Sequence, residues 1–358
     1  MENFEKKQAE EEIYQRISKR ILDSVKGEKA YSRQEVLTEF VEDNSPRIEK
    51  QKITYGQNWK KYNSYQIDEK LLFLELMCSL VDHFDISKEN SVGRPPVDIK
   101  DMIKYGLMKT YSTFSCRRMM GDIQMCFNNN LIENKYHFGT LSNYMKKDQF
   151  KDILHHFLEY SALPMSKSEV CFAVDSSGFT CKKFRRWSED KFTYKTNKIR
   201  DYKKAHVISG TRTNIIASAI ITPFNGADSP QFKKLIGNIK NKFTIVEVYA
   251  DKAYSSRENL QLIKSLGGTA YIPFKSNTRG NSKGCQEWSD LFKLMKENPE
   301  FFYSKYHRRS KVENVFSQVK MKFLDYIRSK NPIAQESEIL LKLICHNLSV
   351  LIREMKEL

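Results

Sequence analysis

The first 165 residues carry apolar positions at helical spacing, interrupted by short polar breaks. The earliest stretch is rich in charge and places Ile13, Ile17 and Ile21 on one stripe, which predicts an amphipathic helix. The helices predicted from this spacing cover 5–25, 66–84, 98–111, 115–130 and 140–163. We therefore predict an all-α N-terminal region, with a charged helical segment at 1–60 and a helical domain at 61–165.

The last three of these helices are joined by short breaks. This spacing is compatible with a helix-turn-helix that binds DNA. Ordinary helical bundles have the same features, because the sequence signature of the motif is weak. DNA binding and simple bundle packing both remain open for the domain at 61–165.

From residue 168 the pattern changes to short apolar strands that alternate with helices. The predicted strands cover 170–174, 205–210, 214–221, 244–251 and 269–274, and the predicted helices cover 229–243, 255–268, 306–328 and 336–355. One further helix is predicted between the last strand and residue 306. This order predicts an α/β domain at 168–358 in which helices flank a central mixed sheet.

Charge is distributed unevenly along the chain of 358 residues, whose net charge is +16. Residues 181–212 carry 11 basic and 3 acidic side chains, and residues 305–330 carry 8 basic and 2 acidic ones. Such clusters favour a polyanionic partner such as DNA, and the aromatic residues interleaved in the first cluster suit stacking on unpaired bases. A solvated basic loop anchored by its aromatic residues is the alternative. The DNA contacts predicted in this cluster are Lys182, Lys183, Arg185, Arg186, Lys203 and Lys204.

The N-terminus lacks the apolar core of a signal peptide, and no apolar run approaches the roughly 18 residues of a membrane span. The expected location is therefore the cytoplasm. The seven cysteines are scattered and form no C-x-x-C pair, which disfavours a zinc ribbon or a disulfide framework.

Two predicted strands end in an aspartate, Asp175 and Asp251. Ligands of open α/β sheets collect beyond strand ends, so these two carboxylates could converge, although an aspartate at a strand end is often only a turn former. In the predicted helix at 306–328, Tyr306, Arg309, Glu313 and Lys320 recur at spacings that place them on one stripe. An exposed Glu/Arg pair would explain only the centre of this stripe.

These residues resemble the DDE transposases of bacterial and archaeal insertion sequences, which have an RNase H-like catalytic core. The segment YHRRSKVENVFSQVK matches the Tyr-x2-Arg-x3-Glu-x6-Lys signature of that group, and DSSG at 175–178 and ADKAYSS at 250–256 are similar to its first two acidic motifs. CHNL at 345–348 is similar to its closing helix. The resemblance covers about 168–355 and implies an RNase H-like fold.

Three carboxylates without a His/Cys cluster suit hard cations that prefer oxygen ligands, so we expect two Mg²⁺ or Mn²⁺ ions and no zinc. The resemblance implies that Asp175, Asp251 and Glu313 bind these ions during nicking and strand transfer. It assigns Tyr306, Arg309 and Lys320 to the transposon ends. The expected partners are therefore double-stranded DNA, as inverted-repeat ends and as target, and a second copy of the chain in a synaptic homodimer associated with the nucleoid.

Four further residues are weaker candidates. Lys252 follows the second aspartate and is a candidate for phosphate contact. His206 is a candidate for substrate contact, but a lone histidine at a strand start is more often structural. Trp187 and Trp288 could stack on a flipped base, although tryptophan is more often packed.

Two other functions fit part of the pattern. An RNase H-like nuclease or resolvase would use the same metal chemistry without strand transfer. A non-catalytic DNA-binding protein derived from a transposase would keep the basic clusters only. The complete Tyr/Arg/Glu/Lys signature and the three intact carboxylates favour the transposase.

Overall fold

The computed structural model describes residues 59–86, 97–181 and 202–357. The amphipathic helix predicted at 5–25 lies outside these residues. So do five of the predicted DNA-contact and stacking residues, namely Lys182, Lys183, Arg185, Arg186 and Trp187.

The described N-terminal part is helical, as predicted. Its helices are α1 (Trp59–His83), α2 (Ile99–Tyr111), α3 (Met120–Asn128), α4 (Phe138–Tyr144) and α5 (Asp148–Ala162), followed by a 3-10 turn at Leu163–Met165. The single helix predicted at 140–163 is wrong, because the backbone is extended at Lys147 and divides it into α4 and α5. Met145, in the break, is buried and anchors this junction in the core.

A mixed sheet of five strands forms the centre of the molecule, which confirms the predicted α/β architecture. The strands are β1 (Cys171–Thr180), β2 (Tyr202–Gly210), β3 (Ile216–Pro223), β4 (Glu247–Ala250) and β5 (Thr269–Tyr271). Their order is β3-β2-β1-β4-β5, with β1, β2 and β3 antiparallel and with β4 parallel to both β1 and β5. The sheet therefore has an antiparallel half and a parallel half that meet at β1.

Among the described residues, six helices accompany the sheet. They are α6 (Ser229–Ile239), α7 (Arg257–Ser265), α8 (Gln286–Glu297), α9 (Pro299–Tyr306), α10 (Ser310–Phe323) and α11 (Pro332–Glu357). The region between β5 and residue 306 holds two helices instead of the one predicted, because Asn298 caps α9 and Pro299 starts it. The predicted helix at 306–328 is shorter, because Leu324 has a φ of 72° and ends α10.

Helix α11 is the central packing element. It contacts α1, α2 and α5 on one side and β2 and β3 on another. The buried apolar residues of the N-terminal helices and of the sheet form one continuous core. The domain boundary near residue 165 stays a prediction, but the two parts share their hydrophobic interior.

Two further observations concern the described residues. No helix among them has the length and apolar character needed to cross a bilayer. All seven cysteines are free thiols, and five of them are buried.

Candidate active site

Asp175 lies on β1, and Asp251 directly follows β4, the neighbouring parallel strand. The β1–β4 register pairs Val174 with Ala250, so the residue that follows each of them is an aspartate at the same edge of the parallel half. Strand β1 does not end at residue 174 as predicted, since its antiparallel pairing with β2 continues to Thr180. The parallel pairing of β1 with β4 does stop before Asp175. The Asp175 carboxylate therefore lies next to the point where β4 ends and a 3-10 turn at Lys252–Tyr254 begins.

Each aspartate is oriented by the backbone that follows it. Asp175 Oδ1 accepts a hydrogen bond from the Ser176 N–H at 2.8 Å, and Asp251 Oδ1 accepts one from the Lys252 N–H at 2.6 Å. In each case one oxygen is held by the backbone. The carboxylates are therefore fixed in direction by the chain itself.

Arg309 connects the third carboxylate to this edge. Its Nη1 donates to Asp175 Oδ2 at 2.7 Å, and its Nη2 donates to Glu313 Oε1. Glu313 lies in the first turn of α10, and half of its side chain remains exposed. One guanidinium thus spans two carboxylates from different elements, a strong form of charge-assisted pairing.

The pKa of the Asp175 carboxyl is raised above its ordinary value, chiefly by burial. The hydrogen bond from Ser176 and the charge of Arg309 oppose this rise, and the negative charges of Asp251 and Glu313 add to it. Both neighbours therefore lie within electrostatic range of Asp175. Such a like-charge cluster favours the binding of a cation.

The predicted straight stripe of Tyr306, Arg309, Glu313 and Lys320 is only partly helical. Tyr306 ends α9, a 3-10 turn covers His307–Arg309, and α10 begins at Ser310. Two of the four contact β1, since Arg309 donates to Asp175 and Lys320 Nζ donates to Ser177 Oγ at 2.7 Å. The other two adjoin Arg309: its guanidinium pairs with Glu313 and lies 5.8 Å from the centre of the Tyr306 ring. Burial lowers the pKa of Lys320.

Oxygen donors dominate this site, as a magnesium or manganese ion requires. Across 59–86, 97–181 and 202–357, no three Asp, Glu, His or Cys side chains already form a metal-ligand group. In this structure Arg309 supplies the positive charge between Asp175 and Glu313. The residues therefore fit a divalent cation in chemistry and charge.

The family comparison decides what kind of protein this is. The profile described as "Transposase DDE domain" matches residues 166–348, just over half of the chain. The chain belongs to this transposase family. The match covers all five strands and the three acidic residues, so the resemblance seen in the sequence is confirmed at the level of the family.

Two solved structures are similar to the transposase only weakly. One is described as a "Mos1 transposase paired-end complex with left transposon end"; it is 10% identical, with a TM-score of 0.22, and the alignment covers 83% of this chain and 94% of the other. The second, a "pre-cleavage Mos1 transpososome", has the same identity and TM-score and covers 96% and 97%. Neither supports a conclusion at these values. A comparison with curated proteins finds no match.

The described basic candidates of the transposase differ in their surroundings. Lys203 forms an ion pair with Glu336 at 2.8 Å, and Lys204 forms one with Asp228 at 2.7 Å. Lys252 is exposed beside Asp251. Among these three, Lys252 is the one whose side chain extends into solvent next to the carboxylates.

Two of the three weaker candidates that the structure describes, His206 and Trp288, are packed. His206 has no exposed area; its Nε2 lies 2.9 Å from Thr222 Oγ1, and its Nδ1 lies 3.2 Å from Asp228 Oδ1 without hydrogen-bond geometry. Trp288 donates its Nε1–H to the Arg279 carbonyl at 2.9 Å and packs edge-on against Phe274. These surroundings are those of structural residues.

The buried imidazole of His206 leads us to expect a loss of stability in acid. Burial lowers the pKa of His206 to about 4, against an ordinary value of 6.5. Between these values the unfolded chain takes up a proton that the folded chain does not, so stability is lost as pH falls. We expect His206→Gln to remove about 1 kcal/mol of the decrease in unfolding free energy between about pH 7 and pH 5.5, measured by urea denaturation.

The matched control for this prediction is His156→Gln, at an exposed position on α5. It should show the pH dependence of the unmodified chain. An unchanged pH dependence in His206→Gln would show instead that the imidazole is protonated without loss of folding.

Two acidic residues beside the site were not recognised from the sequence. Asp228 stands before the first turn of α6, where an aspartate often caps a helix, yet its side chain makes no cap hydrogen bond and instead accepts from Ser176 Oγ at 2.9 Å. Glu247 lies inside the predicted apolar strand at 244–251, yet it is a buried ion-pair partner of Lys305. The available signal for Glu247 was a single charge inside the run TIVEVYA.

Proposed function

We propose that this chain is an insertion-sequence transposase that binds transposon ends, nicks DNA to free 3′-hydroxyls and joins them to target DNA. The observation that supports this best is the contact of Arg309 with both Asp175 and Glu313, beside Asp251. It joins the three signature carboxylates and the signature arginine in one cluster. The proposed cellular setting is the cytoplasm, in association with the nucleoid.

Asp175, Asp251 and Glu313 would hold two Mg²⁺ or Mn²⁺ ions in this proposal. When bound, the ions would activate a water or a 3′-hydroxyl and stabilise the leaving oxygen of the phosphodiester. The protein supplies fixed carboxylates for this purpose, since backbone N–H groups orient both aspartates. The exposure of Glu313 keeps its carboxylate accessible from solvent.

The cations around the carboxylates would hold DNA phosphates. Arg309 and Lys320 both face β1, and Lys252 is exposed beside Asp251. Tyr306 stands next to Arg309 and is suited to contact the terminal nucleotide. The segment at 182–200 would contribute further DNA contacts, because its sequence combines basic and aromatic residues. Two copies of the chain would bring two ends together.

The test uses the whole chain and DNA that carries the inverted repeats flanking its gene. With Mg²⁺ we expect strand-specific nicks at the repeat ends, and with pre-cleaved ends we expect covalent joining to a plasmid. Chelation of the metal should abolish both reactions while DNA binding persists. Nicking without joining would favour the nuclease or resolvase, and binding without either reaction would favour the non-catalytic DNA-binding protein.

A further inference from the structure

A second charged cluster lies on β4, four residues before Asp251. At its centre is Glu247, whose side chain is 9% exposed. Lys305 Nζ donates to Glu247 Oε1 at 3.0 Å, and Arg308 Nη1 lies 3.8 Å from Oε2. Tyr249 also donates its hydroxyl to Oε2.

The cations of this cluster, Lys305 and Arg308, alternate along the chain with two residues of the active-site signature, Tyr306 and Arg309. Lys305 and Arg308 point to Glu247, whereas Arg309 points to the carboxylate edge and the Tyr306 ring lies 5.8 Å from its guanidinium. Each pair is three residues apart, so each pair shares one side of the helical segment. A rotation of the segment about its axis would therefore break both sets of contacts together.

Glu247 is well placed to prevent that rotation. It is carried by the sheet rather than by the helices, and Cys171 on β1 pairs with it in the strand register. A buried carboxylate must be paired, and its loss leaves its partners without a countercharge. Burial raises the pKa of Tyr249, so its hydroxyl remains a donor to Glu247. The ion pair with Glu247 balances the charge of Lys305, which is also buried.

We propose that Glu247 is a positioning residue, which fixes the rotation of residues 299–309 so that Arg309 faces Asp175 and Glu313. The effect on DNA chemistry rests on the proposed function. The effect on the placement of Arg309 does not. The two can therefore be measured separately.

The first test observes Arg309 directly, by NMR of arginine Nε–H groups in the DNA-free chain, with Arg309→Lys to assign its signal. The unmodified chain should show a slowly exchanging Arg309 signal, because both carboxylates hold the guanidinium. Glu247→Gln should lose that signal. Its retention in Glu247→Gln would overturn the proposal.

The control is Glu169→Gln. Glu169 is also a buried carboxylate; it lies just before β1 and accepts from Thr213 Oγ1 at 2.7 Å instead of pairing with the helical segment. This variant should destabilise the fold but keep the Arg309 signal. Loss of the signal in both variants would indicate a general loosening of the structure and would also overturn a specific role of Glu247.

The second test is a double-mutant cycle on DNA nicking. We expect Glu247→Gln to slow nicking by about 10-fold, because small misplacements of a phosphate-binding group have large effects. In an Arg309→Ala background the same change should have no more than about a 2-fold effect, since it acts through Arg309. Equal losses in both backgrounds would contradict this. Absence of nicking in the unmodified chain would instead count against the proposed function and leave the NMR result standing.

Discussion

Glu313→Gln is expected to reduce metal-dependent nicking by at least about 1,000-fold, equivalent to roughly 4 kcal/mol of activation free energy. The substitution removes one negative charge and one metal-binding oxygen and preserves the size of the side chain. The measurement is the rate of nicking at the inverted-repeat end, with Mg²⁺ and saturating protein.

The same variant should still bind transposon ends. Removing a carboxylate from a surface that faces phosphates reduces repulsion, and Arg309 keeps its 2.7 Å contact with Asp175. Folding should also be retained, because half of the Glu313 side chain is exposed and α10 is held by buried residues such as Val312 and Phe316. Gel-shift binding and a thermal melt test these two expectations.

Glu300→Gln is the matched control for this prediction. It makes the same chemical change at an exposed position on α9, six residues before Tyr306. It should nick at the unmodified rate. Full nicking by Glu313→Gln would remove this residue from the proposed metal site, and loss of DNA binding in that variant would show that the carboxylate has a structural role instead.

The spacing of apolar and polar residues predicts much of this fold, because most of its helices and strands are amphipathic or apolar from end to end. The strands around Asp175 and Asp251 and the helix α11 belong to this class. The end of β1 was missed for a physical reason: residues 175–180 are not an apolar run, and they are extended because β2 pairs with them. The break at Lys147 was missed because the buried side chain of Met145 fixes it through tertiary packing.

The candidate site also has a part that local sequence predicts and a part that depends on tertiary structure. The spacing of Tyr306, Arg309, Glu313 and Lys320 could be read from the sequence because it repeats at helical intervals. The contact between Arg309 and Asp175 joins residues 134 positions apart and depends on how α10 is placed on the sheet. The ion-pair role of Glu247 could not be predicted for a related reason. Its partners Lys305 and Arg308 lie in another part of the chain, and only the tertiary structure brings them to β4.

The second large effect concerns Asn347, in the CHNL motif of α11. Its side chain is fully buried at the outer edge of β3, where it accepts from the Ile216 N–H and donates to the Ile216 carbonyl, both at 2.9 Å. It also donates to Ser161 Oγ on α5 at 2.9 Å. The Asn347 amide thus satisfies backbone groups that a further strand beside β3 would otherwise pair with. It also links the edge of β3 to α5 and α11.

Asn347→Leu is expected to lower the free energy of unfolding by roughly 3 to 5 kcal/mol. Leucine has a similar volume but cannot pair with either backbone group of Ile216, and each buried unpaired group costs about 1 to 3 kcal/mol. Urea denaturation measures the loss. Nicking by the folded variant should be unchanged well below its melting temperature, because β3 lies two strands away from Asp175.

The control for this second effect is Asn143→Leu, at an exposed position on α4, where the change in stability should stay within about 0.5 kcal/mol. A loss below about 1 kcal/mol in Asn347→Leu would show that other groups satisfy Ile216. A loss of nicking in the folded Asn347→Leu chain would be informative in a different way. It would mean that the edge of β3 is coupled to the carboxylates through β2 and β1, and that the CHNL motif acts on the site as well as on the fold.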